Sequence, residues 1–406
     1  MKILMVNKFY HIKGGSETYF FGLKDVLESK GNTIIPFSMK DDKNFESEYE
    51  EYFIDNIRYE NLSFTDKIKN AVKIIYNTDA KNKISHIISE YKPEIAHLHL
   101  FQHQLSPSIL SALKEQEIPI VYTVHDLKPV CLNYKMMNSN GICEECKGKR
   151  YYNCFKNKCV KGSRVFSFIN MMEGYFHSFL KSYELIDKFI TPSHFYREKL
   201  IEHGIPEEKV VHIANFLNKS KFQPSYDHDD YFIYVGRLSE EKGILTLVKA
   251  MKRVKTSKLI IVGTGPLEKD ITNLIREEAL NNIDLVGFKT GKELENLIRR
   301  SRFSIIPSEW YENGPMSVLE SMAYGKAVIG SDIGGIPEFL KHNNGLTFKM
   351  GDYIDLSNKI NFMLKEEEST INMGRNGRIA IEKYYDESVH YDKIYSVYTE
   401  IIQRNK

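Results

Sequence analysis

Short β-branched runs alternate with longer amphipathic stretches along almost the whole of this sequence. That alternation is the pattern of parallel sheets wrapped by helices, because parallel strands need crossover connections and are covered on both faces. In the first half, strands are expected at residues 3–6, 33–37, 95–98, 120–124, 189–191 and 210–213, with helices at 16–29 and 64–90. The rhythm breaks at residues 218–230, a polar stretch with Pro224 and the run Asp227-His228-Asp229-Asp230, which has the composition of an interdomain linker. It restarts at 231–235 and continues through 259–262, 283–286, 303–306, 327–330 and 345–348. Residues 386–403 carry no strand pattern and read as a terminal helix able to pack back on the fold.

The chain has 406 residues. Single cores stop growing at roughly 250–300 residues, so two domains are expected. The boundaries read as 1–217, a linker 218–230, a second domain 231–385 and a helix 386–406. Two doubly wound domains facing each other would bind ligands at the carboxyl ends of their strands. A formal net charge of +2 gives no strong overall field, and no nucleic-acid partner is expected. No apolar run reaches the roughly 18 residues of a membrane span. Residues 1–7 suit a first strand better than a signal peptide, so a cytoplasmic location is expected.

Two loops have the chemistry of anion sites. Gly236-Arg237-Leu238 follows an expected strand, and Glu241-Lys242-Gly243 leads into a helix pattern from Ile244. A turn through glycine into a helix start offers free amides and the positive end of the helix dipole. Arg237 adds a planar fork for phosphate oxygens and Lys242 a point charge. Gly14-Gly15-Ser16-Glu17 repeats the arrangement after the first strand, with paired glycines allowing close approach and Ser16 placed to cap the helix. G-x-G-x-x-G is absent after the first strand, and Gly263-Thr264-Gly265 is only a fragment of it.

A third segment, Trp310-Tyr311-Glu312-Asn313-Gly314-Pro315-Met316, precedes a helix expected at 317–324. Glu312 and Glu320 stand eight positions apart. One carboxylate can meet a sugar ring while the other accepts from a ribose. The amides of Gly314, Met316 and Ser317 are the unpaired donors of a helix start. An ordinary surface glutamate is the plainer reading of Glu320.

Together these residues resemble a known family. G-R-L-x-x-E-K-G at 236–243, E-x7-E from Glu312 to Glu320, and G-G-S-E at 14–17 are similar to glycosyltransferase family 4 of the GT-B fold, along nearly the whole chain. Thr191-Pro192-Ser193, Phe222-Gln223-Pro224, Ser331-Asp332-Ile333-Gly334-Gly335 and residues 373–378 sit where that family carries similar stretches. The resemblance implies two Rossmann-like domains facing across a cleft, a C-terminal helix crossing back, and a retaining transferase that uses a nucleotide-diphosphate sugar. It implies that Arg237 and Lys242 hold the pyrophosphate, Glu320 the ribose, Glu312 the transferred sugar, Gly15 the phosphates, Phe288 the nucleobase region, and His125 the reacting sugar. Asn215-Phe216-Leu217-Asn218 departs from the family's Asn-Gly-Val-Asp at the hinge.

The chemistry expected is departure of a diphosphate through an oxocarbenium-like state, with same-face attack by the acceptor and no protein nucleophile. The two-carboxylate logic of glycoside hydrolysis does not transfer. No catalytic metal is expected, because Asp227-His228-Asp229 lies before a strand and reads as solvated linker charge. By resemblance the acceptor is a carbohydrate or lipid-linked glycan of bacterial surface polysaccharide synthesis, with peripheral contact at the inner face of the membrane. Phe20, Phe21 and nearby lysines are candidates for that contact, although core packing of their helix is the expectation. The rival readings are a catalytically silent nucleotide-sugar-binding module and a nucleotide-sugar epimerase of the same fold.

All five cysteines fall between Cys131 and Cys159, in a stretch that fits neither period. Their spacing makes Cys143, Cys146, Cys154 and Cys159 the natural set for a structural zinc, with Cys131 spare. An iron–sulfur cluster and free buried thiols are the alternatives. His97, His99 and His103 surround a strand end, where polar packing is the expectation rather than a metal site.

Overall fold

A computed structural model describes residues 1–57 and 64–405. It divides into two compact units, Met1–Ala214 with His390–Lys406, and Asn215–Val389.

The first unit is built on β1 (Lys2–Val6), β2 (Thr33–Phe37), β3 (Ile95–Leu98), β4 (Ile120–Thr123), the hairpin β5 (Met137–Asn138) and β6 (Gly141–Ile142), β7 (Lys188–Thr191) and β8 (Val210–His212). Among the described residues its main sheet has six parallel strands in the order β2-β1-β3-β4-β7-β8. The Ile- and Val-rich strands are almost wholly buried, as a sheet covered on both faces requires. The order reverses between β1 and β3, so the loops after these strands flank the switch point where open α/β sheets bind ligands.

The second unit carries β9 (Tyr231–Val235), β10 (Lys258–Val262), β11 (Ile283–Gly287), β12 (Phe303–Ile306), β13 (Ala327–Ser331) and β14 (Gly345–Phe348). Their order, β11-β10-β9-β12-β13-β14, is the doubly wound arrangement with its switch point between β9 and β12. Phe232 and Phe303 stack across these two strands with centroids 5.0 Å apart, and both rings are fully buried. Burial of each such ring contributes about 1.5–3 kcal/mol.

The expected strands are all present, but local details differ. The helix expected over 64–90 is two helices, Phe64–Ile75 and Thr78–Tyr91, because the Asn77 side chain accepts from the Ala80 amide and starts a new helix. The first helix, Gly15–Ser29, is capped by Gly14, which places Ser16 inside the first turn rather than at the cap. The polar stretch 218–230 is not simply solvated: Arg300 clasps Asp229, and Lys326 donates to the Asp227 carbonyl at 3.1 Å. The terminal helix, Glu387–Arg404, contributes His390 and Tyr398 to the first unit's core. Phe20 is buried at 1% exposure, so the helix bearing Phe20 and Phe21 packs inward. No helix among the described residues is long and apolar enough to cross a membrane.

Candidate functional site

The second unit's switch point gathers the residues singled out by motif. The loop after β9 turns tightly beneath β12. Gly243 has φ +64°, and a Cβ there would fall 1.8 Å from the Pro307 carbonyl oxygen. Gly263-Thr264-Gly265 serves the same packing: Leu238 N donates to Thr264 O at 3.0 Å, and a Cβ on Gly265 would strike the Leu238 carbonyl at 2.3 Å. That glycine pair is a backbone buttress.

The amides expected to be free in this loop are largely spent. Gly236 N donates to Val262 O, Lys242 N to Ser239 O and Gly243 N to Glu240 O. The loop therefore offers side chains. Arg237 is exposed, and no carboxylate partner for it is found among the described residues. Lys242 Nζ lies 2.5 Å from Glu312 Oε1 and 5.2 Å from the centre of the Trp310 ring.

Glu312 is buried at 6% exposure and also accepts from Ser308 Oγ at 2.7 Å. Burial alone would push its carboxyl up, but the Lys242 ammonium and the Ser308 hydroxyl outweigh burial and hold it below the usual range. Its backbone is pinned too, since Gly335 N donates to Glu312 O at 2.7 Å. Ser308, Trp310 and Gly335 thus form a support that motif spacing alone did not reveal.

The helix expected at 317–324 runs Met316–Ala323, with Pro315 at its N-cap. No acceptor within the chain is found for the amides of Gly314, Met316 and Ser317 among the described residues. Glu320, one turn along, is half-buried, and its carboxylate has no partner among the described residues. Burial pushes its pKa up to about 7. A solvated surface glutamate would stay near its ordinary value, so the plainer reading of Glu320 does not describe this carboxyl. Asn215 Nδ2 donates to Gly314 O at 2.7 Å and fixes the turn before the helix. Phe288 stands 71% exposed just past β11, beside the left-handed Gly287.

In the first unit, Gly14 and Gly15 are exposed at the start of their helix. Beneath them Glu17 is 2% exposed, and its Oε1 has no hydrogen-bond partner among the described residues. His97, His99 and His125 stack at the ends of β3 and β4. His97 bridges Tyr398 Oη at 2.5 Å and Thr123 Oγ1 at 2.7 Å, while His99 Nδ1 meets His125 Nε2 at 3.0 Å. Burial drives His97 and His125 down to about 3, so these imidazoles are neutral near pH 7. This is the polar packing expected for His97 and His99, and His125 joins it.

The five cysteines and His203 line one small pocket beside the hairpin β5–β6. Cys154 and Cys159 share a thiol hydrogen bond, and Cys131 Sγ donates to Asn133 Oδ1 at 3.0 Å. No three cysteine sulfurs lie mutually within 4.8 Å among the described residues, so Cys143, Cys146, Cys154 and Cys159 do not form a converged tetrahedral set. His203 Nδ1 bonds the Lys199 carbonyl at 2.8 Å, which leaves a buried Nε2 without a partner among the described residues.

Comparison with known proteins places the chain among glycosyltransferases. The family model "Glycosyltransferase Family 4" matches residues 13–221, and "Glycosyl transferases group 1" matches residues 215–380. The amylovoran biosynthesis glycosyltransferase AmsK of Erwinia amylovora is 26% identical over 227 residues, covering 52% of this chain and 55% of AmsK. The chain spans about half the length of the curated relatives it matches first. Sucrose-phosphate synthase from Thermosynechococcus elongatus superposes with TM-score 0.73 at 19% identity, covering 99% of both chains. Anabaena HepE, solved in complex with UDP, gives TM-score 0.66 at 15% identity, covering 98% of this chain and 100% of HepE. These likenesses establish the two-domain GT-B fold.

Proposed function

The chain belongs to glycosyltransferase family 4, and on that premise we propose that it moves a hexosyl group from a nucleotide-diphosphate donor to a glycan or lipid-linked acceptor, with retention of configuration. The observation that carries this reading is the grouping around the second unit's switch point: among the described residues, an Arg237 without a carboxylate partner, a half-buried Glu320 without any partner, and three open amides at one helix start. The UDP held by HepE and the role of AmsK in amylovoran biosynthesis support it.

In this reading Arg237 takes the pyrophosphate in its fork, and the amides of Gly314, Met316 and Ser317 bind the same anion. Glu320 accepts from the ribose hydroxyls, and Phe288 lies against the nucleobase. Gly236 keeps the turn open beside the phosphates. Glu312, held by Lys242 and Ser308, orients the transferred sugar. The bond from the anomeric carbon to the phosphate oxygen breaks, with Arg237, Lys242 and the helix-end amides stabilising the departing charge. The acceptor hydroxyl bonds the anomeric carbon from the same face, and its proton passes to a phosphate oxygen. Glu312 is already engaged by two donors, which suits an orienting group better than a nucleophile.

For the first unit we propose acceptor recognition. Gly14 and Gly15 leave room for a ligand to reach the backbone, and neutral His125 can bond a hydroxyl. For the insert we propose a structural zinc on Cys143, Cys146, Cys154 and Cys159. Thiols and an available imidazole suit zinc in kind, and burial, with neighbouring cysteines adding to it, pushes Cys146 up to about 12, a cost that a bound cation would reverse. Rotation of the side chains would have to bring the sulfurs together.

The test is a thermal-shift screen of the purified chain against nucleoside diphosphates, followed by donor hydrolysis and sugar transfer. Ligand binding to the folded state raises the midpoint. Binding with neither hydrolysis nor transfer would favour the silent binding module.

A further inference from the structure

The helix Arg164–Phe179 is amphipathic the wrong way round for a chain in water. Its inward face is polar: Ser167, Asn170, Glu173 and His177 are all buried. Each is satisfied. Lys128 Nζ donates to Asn170 Oδ1 at 3.0 Å and to Glu173 Oε2 at 2.8 Å. Ser167 Oγ accepts from Val160 N at 3.0 Å, and His177 bridges Ser182 Oγ and the Ile75 carbonyl. The outward face carries Val165, Phe168, Met172, Tyr175, Phe176 and Phe179, all exposed, with Phe179 reaching 85%. Helices at a water boundary ordinarily turn their apolar stripe to the core. Isolated exposed apolar side chains are common, but a continuous helical stripe of aromatic groups marks a contact surface.

The neighbouring chain extends the patch and gives it a charge. Tyr152 and Phe155 are exposed on the insert's short helix, and the Phe155 ring meets Phe168 at 5.9 Å. Residues 147–181 hold eight Lys or Arg and a single carboxylate, Glu173, which is buried against Lys128. The entire chain nets only +2, so positive charge is concentrated here. Lys149, Lys156, Lys158, Lys161 and Arg164 are exposed beside the aromatic stripe.

We propose that this face, formed by the outward side of helix Arg164–Phe179 and the basic insert, docks on an anionic phospholipid bilayer. Aromatic and long apolar side chains enter the headgroup–acyl boundary, while lysine and arginine stems reach the anionic headgroups. A protein partner fits the chemistry less well, because lysine is depleted at protein interfaces, whereas here it rims the patch. The buried polar face explains why the helix does not turn over, since rotation would strand Glu173 and Lys128 without each other.

The experiment is co-sedimentation of the full chain with vesicles of mixed phosphatidylglycerol and phosphatidylcholine, and with phosphatidylcholine alone, at low and high salt. The chain is expected to bind the mixed vesicles, to leave them at high salt, and to ignore the neutral ones. The triple variant F168S/M172S/F179S and the charge variant K156E/K158E are each expected to weaken binding by about tenfold or more. An unchanged thermal midpoint shows that the variants are folded. Absence of binding to the mixed vesicles, or binding by both variants as tight as that of the unaltered chain, overturns the proposal. So does a dimer in solution that the triple variant dissociates, because a second copy would then be what covers the stripe. No nucleotide sugar enters the assay. A chain that binds vesicles but transfers no sugar would therefore contradict the functional reading alone.

Discussion

Lys242 Nζ lies 2.5 Å from Glu312 Oε1, joining the loop after β9 to the loop after β12 at the point where the second sheet reverses its strand order. Seventy positions separate the two residues, and only the crossover topology makes them neighbours. The pair sets the local charge, a carboxylate neutralised by the ammonium beside it.

Removing one partner strands the other. Lys242→Met leaves Glu312 buried without its counter-ion. Breaking a fully buried pair costs about 3–5 kcal/mol, and with Lys242 28% exposed the loss is expected at about 1–3 kcal/mol. Chemical denaturation of the variant measures it. Lys242→Arg is expected to recover most of the stability but little of the turnover, because a planar fork does not replace a point charge.

Glu320 should make the unliganded chain sensitive to pH. Its folded pKa, raised to about 7 from an ordinary 4.5, means that the folded state holds a proton that the unfolded state has lost between those values. Stability from this group therefore falls as pH rises from about 4.5 to 7, and Glu320→Gln is expected to flatten that slope. A nucleotide whose ribose donates to the carboxylate favours its charged form, so binding near pH 6 should release a proton. Calorimetric titration in buffers of different ionisation enthalpy detects this. Equal heats in all buffers would count against a ribose at Glu320.

The histidines at the ends of β3 and β4 act in the opposite sense. His97 and His125, held down to about 3 by burial, stay neutral in the fold but charge in the unfolded chain near 6.5. Stability contributed by their neutral packing is intact above about 6.5 and is lost as pH falls toward 3. Circular dichroism melts between pH 7 and 4 should show the midpoint dropping, and less so in His97→Gln.

The zinc proposal has a direct readout. Metal analysis of the purified chain is expected to find one zinc per chain, and a chelator should lower the thermal midpoint while freeing thiols. A metal-free chain with all five cysteines reactive would end it. The insert begins soon after His125, the residue proposed for acceptor hydroxyls, so it is proposed to shape the acceptor site, and replacing the five cysteines by serine is expected to weaken acceptor use. Full activity in that variant would show that the insert does not shape the acceptor site.

The strands were legible because β-branched runs of the right length recur at regular spacing, and the motif loops fell at their carboxyl ends as parallel sheets require. The helix break at Asn77 was not, since the apolar period continues through it and only a side-chain cap ends the first helix. Pairing of Lys242 with Glu312 lies beyond any local pattern. The turn through Gly236 suggests free amides, yet the Gly236 amide bonds the Val262 carbonyl, because strand-end amides often continue the neighbouring ladder. The inverted helix was half visible: its apolar period is plain in the sequence, but Ser167, Asn170, Glu173 and His177 recur at helical spacing too. Spacing alone does not say which face turns outward.

The account rests on a diphosphate held beside Arg237 and Lys242. The decisive measurement is nucleoside diphosphate affinity and donor turnover in the double charge reversal Arg237→Glu/Lys242→Glu, with its circular dichroism spectrum and thermal midpoint showing that the variant is folded. Loss of about tenfold or more in affinity and of measurable turnover is expected, because two attractive contacts become repulsive. Unchanged affinity and turnover in the charge-reversed chain would contradict it.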